Sequence, residues 1–95
     1  ENKSNLLLNS LQITTDTLVE ETSKNSKGQA QTYRTIITTK LLITNNEEII
    51  KNKTFMEDFS YNSRDNKFEL VEYQDEVRDD IIKKIIEEIV IYLSI

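Results

Sequence analysis

The side chains best suited to chemistry in this sequence are carboxylates, which fall in neighbouring pairs: Glu20-Glu21, Glu47-Glu48, Asp75-Glu76, Asp79-Asp80 and Glu87-Glu88. A divalent cation needs three or more such oxygens converging at defined spacing, and the loop pattern D-x-[DN]-x-[DN]-G does not occur. Adjacent carboxylates on a helix point in different directions, so these pairs read as solvated faces. Asp16, Glu57 and Asp58 are the candidates for a catalytic carboxylate pair. Such a pair works only at a set separation, and nothing in the sequence brings these three together.

Nucleophilic chemistry finds no better footing. Ser and Thr are plentiful, but the chain has no His, no Cys and no G-x-S-x-G turn, so a hydroxyl would lack its usual base. A single glycine, Gly28, excludes a glycine-rich phosphate cradle. The expectation is therefore a protein that is not an enzyme, with no catalytic residue, no metal site and no cofactor. Basic residues offer a different chemistry. Lys24 and Lys27 lie in a turn-rich stretch, Arg34 on the outer parity of a strand, and Arg64 and Lys67 in a connection leading to a helix. If the sheet curls so that some of them meet, they form a modest anion site for phosphate groups; otherwise they are solubilising charge.

The elements that must position these residues are few. The 95 residues carry 12 basic and 17 acidic side chains, for a formal charge of -5 and a pI near 4.7. One small domain over 1–95 follows from that length. The acidic balance excludes a nucleic-acid surface and a polybasic membrane tether. The polar start ENKSN lacks a charged-then-apolar leader pattern, which leaves a cytoplasmic protein and a trimmed segment of a longer one both open.

The strongest element is the end of the chain. Over Asn66 to Ile95, Leu70, Val77, Ile81, Ile82, Ile85, Ile86, Ile89, Val90 and Leu93 share one side of a helix, and Glu69, Glu72, Glu76, Asp80, Lys83, Lys84 and Glu87 take the other. Asn66 with Glu69 three residues later marks its start, as in a capping box. From Val77 onward the apolar side spans about 200° of the wheel, where a helix lying on one sheet needs about 100°. A second neighbour is implied. Asp79, Asp80, Lys83, Lys84, Glu87 and Glu88 interrupt the run, so it is not a membrane span.

Upstream, Leu6 to Val19 reads as a strand with Leu7, Leu11, Ile13, Thr15 and Thr17 on one parity. Glu20 to Gln29 reads as a long hairpin loop in which Gly28 supplies a positive φ. Gln29 to Thr44 alternates cleanly, with Tyr33, Ile37, Leu41 and Ile43 inward and Arg34, Thr38, Lys40 and Thr44 outward. Asn45-Asn46 predicts a tight turn. Ile49 to Tyr61 follows as a third strand whose two faces are mixed, as at an edge or a bulge. The expected fold is α+β: an antiparallel three-stranded meander packed against one long C-terminal helix.

Gly28-Gln29-x-x-x-Tyr33 opening an alternating strand, a strand ending in Phe59, then Tyr61-Asn62 and Phe68, and a long helix closing on Leu93 together resemble the LPS-assembly lipoprotein LptE family. The similarity covers about Leu6 to Ile95, and YNSRDNKFELVEYQDEVRDDIIKKI is closest to alphaproteobacterial members. The resemblance implies a two-layer sandwich of four strands and two helices, with a lipidated Cys, a strand and a helix preceding the region seen here. It implies a non-catalytic subunit at the periplasmic face of the outer membrane that plugs and assists the LptD barrel and binds lipopolysaccharide. Lys27, beside the hairpin glycine, and Lys67, ahead of the last helix, are the positions it offers for lipopolysaccharide contact. The alternative is an oligomeric interaction domain that self-associates through the Ile-rich helix face.

Overall fold

A computed structural model describes residues 9–95. Among the described residues three strands, β1 (Asn9–Lys24), β2 (Ala30–Asn45) and β3 (Glu48–Asn62), precede one helix, α1 (Lys67–Ser94). The strands form an antiparallel sheet in the order β1-β2-β3, so β2 is central and both neighbours are edges. This is the expected α+β meander with one long C-terminal helix. Leu6, Leu7 and Leu8 of the expected first strand lie outside the described residues.

Both hairpins differ from expectation in register. The stretch Glu20–Lys24, expected as loop, continues β1. Hydroxyl pairs hold it there: Thr22 Oγ1 and Ser23 Oγ each lie 2.6 Å from Thr32 Oγ1, and the register slips at Glu21/Ser23 and Ser23/Lys24 to accommodate both. Turn chemistry is confined to Asn25–Gln29. The Asn25 carboxamide oxygen accepts from the amides of Lys27 (2.9 Å) and Gln29 (3.0 Å), and Gly28 takes φ +82° as expected. The second turn sits one residue later than expected, on Asn46 (φ 53°) and Glu47 (φ 69°), with Asn45 paired to Glu48. Two successive positive φ angles are what a two-residue hairpin needs to match strand twist. A register shift between Ile43 and Thr44 leaves Ile50 unpaired and supplies the bulge expected in the third strand.

Alternation along β2 sends Tyr33, Thr35, Ile37, Thr39 and Leu41 toward α1. Ile37 and Leu41 are fully enclosed, and Phe55 and Tyr61 of β3 flank them. Above lie Val77, Ile81, Ile85 and Ile89, one per turn of α1. The two buried threonines are satisfied in kind: Thr35 Oγ1 lies 2.7 Å from Tyr61 Oη, and Thr39 Oγ1 3.2 Å from Thr15 Oγ1. At the start of α1, Asn66 Oδ1 accepts from the amides of Phe68 (2.8 Å) and Glu69 (3.3 Å), so the cap is where the sequence puts it.

The helix packs against β2 and β3. An α-helix is about 10 Å wide and strands lie about 4.8 Å apart, so one helix covers about two strands. The third, β1, is left bare: Leu11, Ile13 and Val19 turn toward the helix side of the sheet but stay about half exposed. On α1 the matching flank, Ile86, Val90 and Leu93, is 52%, 56% and 42% exposed. The second neighbour implied by the wide apolar face is absent among the described residues. Lys84 is exposed, as expected of the wet side, and its ammonium also reaches Glu57 on the sheet at 3.1 Å.

Ile81→Ala removes side-chain volume from the enclosed row and is expected to cost about 2–5 kcal/mol, whereas Ile86→Ala on the open flank costs about 0.5 kcal/mol or less. Urea unfolding of both variants measures the contrast; equal losses would mean that Ile86 is covered.

Candidate functional site

The meander returns two separate segments to one end of the sheet. The last rung of β2 and β3 pairs Thr32 with Asn62, and the amide of Ser63 then donates to the carbonyl of Gln31 at 2.8 Å. The β3–α1 connection carrying Arg64 therefore lies beside the start of β2, next to the Asn25–Gln29 turn that carries Lys27. Lys67 opens α1 at the same end. The two sequence-predicted site residues, Lys27 and Lys67, are both exposed and belong to this one end, with Arg64. Among the described residues none of the three is in an ion pair, whereas Lys24 is paired to Glu21 at 2.5 Å.

Aromatic packing fixes the connection. Tyr61 stacks on Tyr33 (centroids 6.0 Å) and on Phe59 (6.4 Å), and meets Tyr73 of α1 edge to face at 5.4 Å. The Arg64 guanidinium lies 4.1 Å from the Tyr73 ring centre, a cation–π contact that holds it over the first turns of the helix. Beside it opens a shallow cleft of about 430 Å³ lined by Thr22, Thr32, Ser60, Asn62 and Arg64 and by three aromatic rings, Phe59, Tyr61 and Tyr73. Hydroxyls, a carboxamide and a guanidinium beside aromatic faces suit an amphipathic anionic ligand. Sequence reading found Arg64 but missed the cleft, because Thr22 and Thr32 enter it only through the strand extension of the first hairpin.

Arg34 leaves the anion-site candidates. On the outer sheet face its Nε donates to Asp58 Oδ2 at 2.7 Å, and its Nη1 lies 3.4 Å from Glu20 Oε1. The hydrogen bond to Asp58 raises its already high pKa further. The same register separates the candidate carboxylates. Glu57 and Asp58 are successive strand residues and point to opposite faces. Asp16, opposite Thr38, shares the outer face with Asp58 but sits two strands away. Among the described residues no group of three or more possible metal ligands occurs.

Glu57 does form one titratable cluster, on the helix side. Its carboxyl is hydrogen-bonded to Glu88 and to Lys84, and both hold it below the usual carboxylate range. Glu88 pays the converse: its hydrogen bond to Glu57 raises its pKa, as do partial burial and the Glu57 charge. The cluster pins α1 to β3 and is structural in role.

A second surface runs along the middle of β1. Ile13 and Thr15 with Thr39 of β2 form the floor, and Ile82, Ile85, Ile86 and Ile89 the wall, of a trough of about 290 Å³. No helix among the described residues is long and apolar enough to cross a membrane. No protein-family model matches the chain, and no curated protein matches it.

Glu88 titrates with a raised folded pKa, so its contribution is full below the unfolded carboxyl value and is lost as pH rises. Glu57, with a lowered folded pKa, contributes above the unfolded value and loses that as pH falls. Glu88→Gln keeps a hydrogen-bond donor to Glu57 without an ionisable proton. Its melting temperature is expected above that of the parent at pH 7, with the gap closing by about pH 4. Thermal melts across that window measure it, and a gap independent of pH would remove the shared-proton account.

Proposed function

We propose that this chain is a non-catalytic outer-membrane assembly subunit of the LptE kind. In this reading it sits at the periplasmic face of the outer membrane, plugs and assists an LptD-like barrel, and holds lipopolysaccharide in passage to the cell surface. The observation that carries it is the cationic end. In a chain of net charge -5, Lys27 in the first hairpin turn, Arg64 in the β3–α1 connection and Lys67 at the start of α1 all belong to one end of the sheet, where Arg64 borders a cleft of hydroxyls and aromatic rings. Phosphorylated sugars present the anionic oxygens and hydroxyls that such a surface can bind. The long three-stranded meander closed by a C-terminal helix is also the part of the family's sandwich that the resemblance covers.

Exposed charges act through water, so each lysine contributes modestly. Lys27→Glu and Lys67→Glu are each expected to weaken lipopolysaccharide binding about threefold at low salt, with no change in melting temperature, and more weakly at high salt. Lys40→Glu, at an exposed position of β2 on the opposite face of the sheet, is the control. Biosensor titration over purified lipopolysaccharide decides the matter: losses no larger than that of the control would take both lysines, and the glycolipid role with them, out of the account.

A further inference from the structure

We infer that the groove between β3 and α1 binds a phosphoethanolamine group, with the phosphate at Arg64 and the ammonium between Glu76 and Asp80. This groove lies on the flank of α1 opposite the trough over β1. It is a separate claim from the glycolipid reading, whose two lysines, Lys27 and Lys67, do not line it.

Two hollows meet to form the groove. The first, of about 240 Å³, has Phe59, Tyr73, Val77 and Ile81 as its floor and the exposed Glu76 and Asp80 at its rim. The second is the cleft beside Arg64, and Phe59 and Tyr73 line both. One aromatic floor therefore runs from a guanidinium to a pair of carboxylates. Tyr73, Glu76 and Asp80 follow at intervals of three and four residues, so they share one stripe of α1. At 1.5 Å per residue, Glu76 and Asp80 stand about 5 and 10 Å along the axis from Tyr73. Arg64 rests on the ring of that same tyrosine.

The carboxylates at the rim are those that the fold leaves over. Two others border the first hollow, and each has a cation: Asp58 is held by Arg34 and Glu57 by Lys84. Glu76 and Asp80 are in no ion pair among the described residues, although α1 carries cations close by. Arg78 goes to Asp75 and Asp79 on the neighbouring stripe. Lys84, four residues after Asp80 and well placed to pair with it, reaches across to Glu57 instead. Two like charges one turn apart repel each other, and an ammonium bound between them removes that repulsion.

Opposite charges at the two ends of one floor select a zwitterion. A ligand that is only cationic is opposed by Arg64, and one that is only anionic by Glu76 and Asp80. A guanidinium beside the polar side chains of Ser60 and Asn62 suits the oxygens of a phosphate. An ammonium supplies three N–H donors for the two carboxylates and lies well against an aromatic face. Phosphate and ammonium joined through two methylenes are roughly 5 Å apart at about 1.5 Å per bond, comparable with the offset of Glu76 from Tyr73. The group occurs both as a lipid headgroup and as a soluble ester, and the groove recognises what the two share.

The test titrates O-phosphoethanolamine, ethanolamine and inorganic phosphate into the 95-residue chain at low salt, read by amide shifts in NMR spectra. The ester is expected to bind at least about threefold more tightly than either half, with shifts centred on Arg64, Tyr73, Glu76 and Asp80. Glu76→Gln/Asp80→Asn should reduce its affinity to that of inorganic phosphate, and Arg64→Gln to that of ethanolamine. Asp75→Asn/Asp79→Asn, which removes equal charge from the neighbouring stripe, should leave it unchanged. All five side chains are exposed, so the fold is kept, as melting curves check. Vesicles of phosphatidylethanolamine in phosphatidylcholine assign the source: capture of the chain points to the lipid headgroup, and a chain left free that still binds the ester points to the soluble form. Lys27 and Lys67 stay in place throughout, so this inference and the glycolipid reading fail separately. No binding of the ester, binding no tighter than that of inorganic phosphate, or equal losses in the Glu76→Gln/Asp80→Asn and Asp75→Asn/Asp79→Asn variants overturns the inference.

Discussion

One helix over three strands, among the described residues, is the constraint on which the rest of this structure depends. A helix buries a stripe about two strands wide, and α1 spends that stripe on β2 and β3. The row Val77, Ile81, Ile85, Ile89 meets Ile37, Leu41 and Phe55 and encloses them. Everything outside that contact is left to other devices. β3 is closed off by lysines, a bulge and the Glu57–Lys84–Glu88 cluster. β1 is left with no cover on its Leu11–Ile13 surface, and the neighbouring flank of α1 stays apolar in water. Among the described residues both walls of this trough therefore stand apolar and exposed.

Placement of charge follows the same division. Where strands pair in register, opposite charges face each other and are consumed, as with Arg34 between Glu20 and Asp58 on the outer face of the sheet. Where the chain turns, at the hairpin tip and the β3–α1 connection, basic groups remain outside such pairs and are carried by aromatic packing instead, Arg64 on Tyr73 being the clearest case. The cationic end and the apolar trough are thus two consequences of the same topology. One lies where strands stop and the other where the helix runs out of width.

Much of this was legible in the residues. The Asn66 cap, the buried Ile row and the clean alternation of β2 are local signals, set by 3.6-residue and two-residue periods, and they came through intact. The width of the Ile face also carried its message, since its excess over one stripe is the flank that stands open. What failed were quantities fixed across strands. Glu20–Lys24 looks like loop because Glu, Ser and Lys are poor strand formers taken singly, yet pairing to Thr32 decides their state. The second turn moved onto Asn46 and Glu47 because hairpin register is set by the pairing of Asn45 with Glu48, not by which residue best tolerates a positive φ. Lys84 stands in water as its place on the wheel implies, but its ion pair with Glu57 depends on the inward turn of that carboxylate on β3, which helix periodicity does not show.

Glu57 also shows why a carboxylate at a core-facing position need not be catalytic. On β3 it occupies an inward place between Phe55 and Phe59, where an apolar residue would extend the core. Two groups of α1 act on that carboxylate, Lys84 at 3.1 Å and Glu88, and both hold its pKa low. An apolar residue would hold the helix anywhere along the strand. A charge with two fixed partners holds it at one axial position, because sliding α1 by a single residue turns it by about 100° and removes both partners. Axial position is what the trough needs. Ile82 and Ile86 line it together with Ile13 and Thr15 only while α1 keeps this register, so the polar cluster on the guarded edge sets the geometry of the open one.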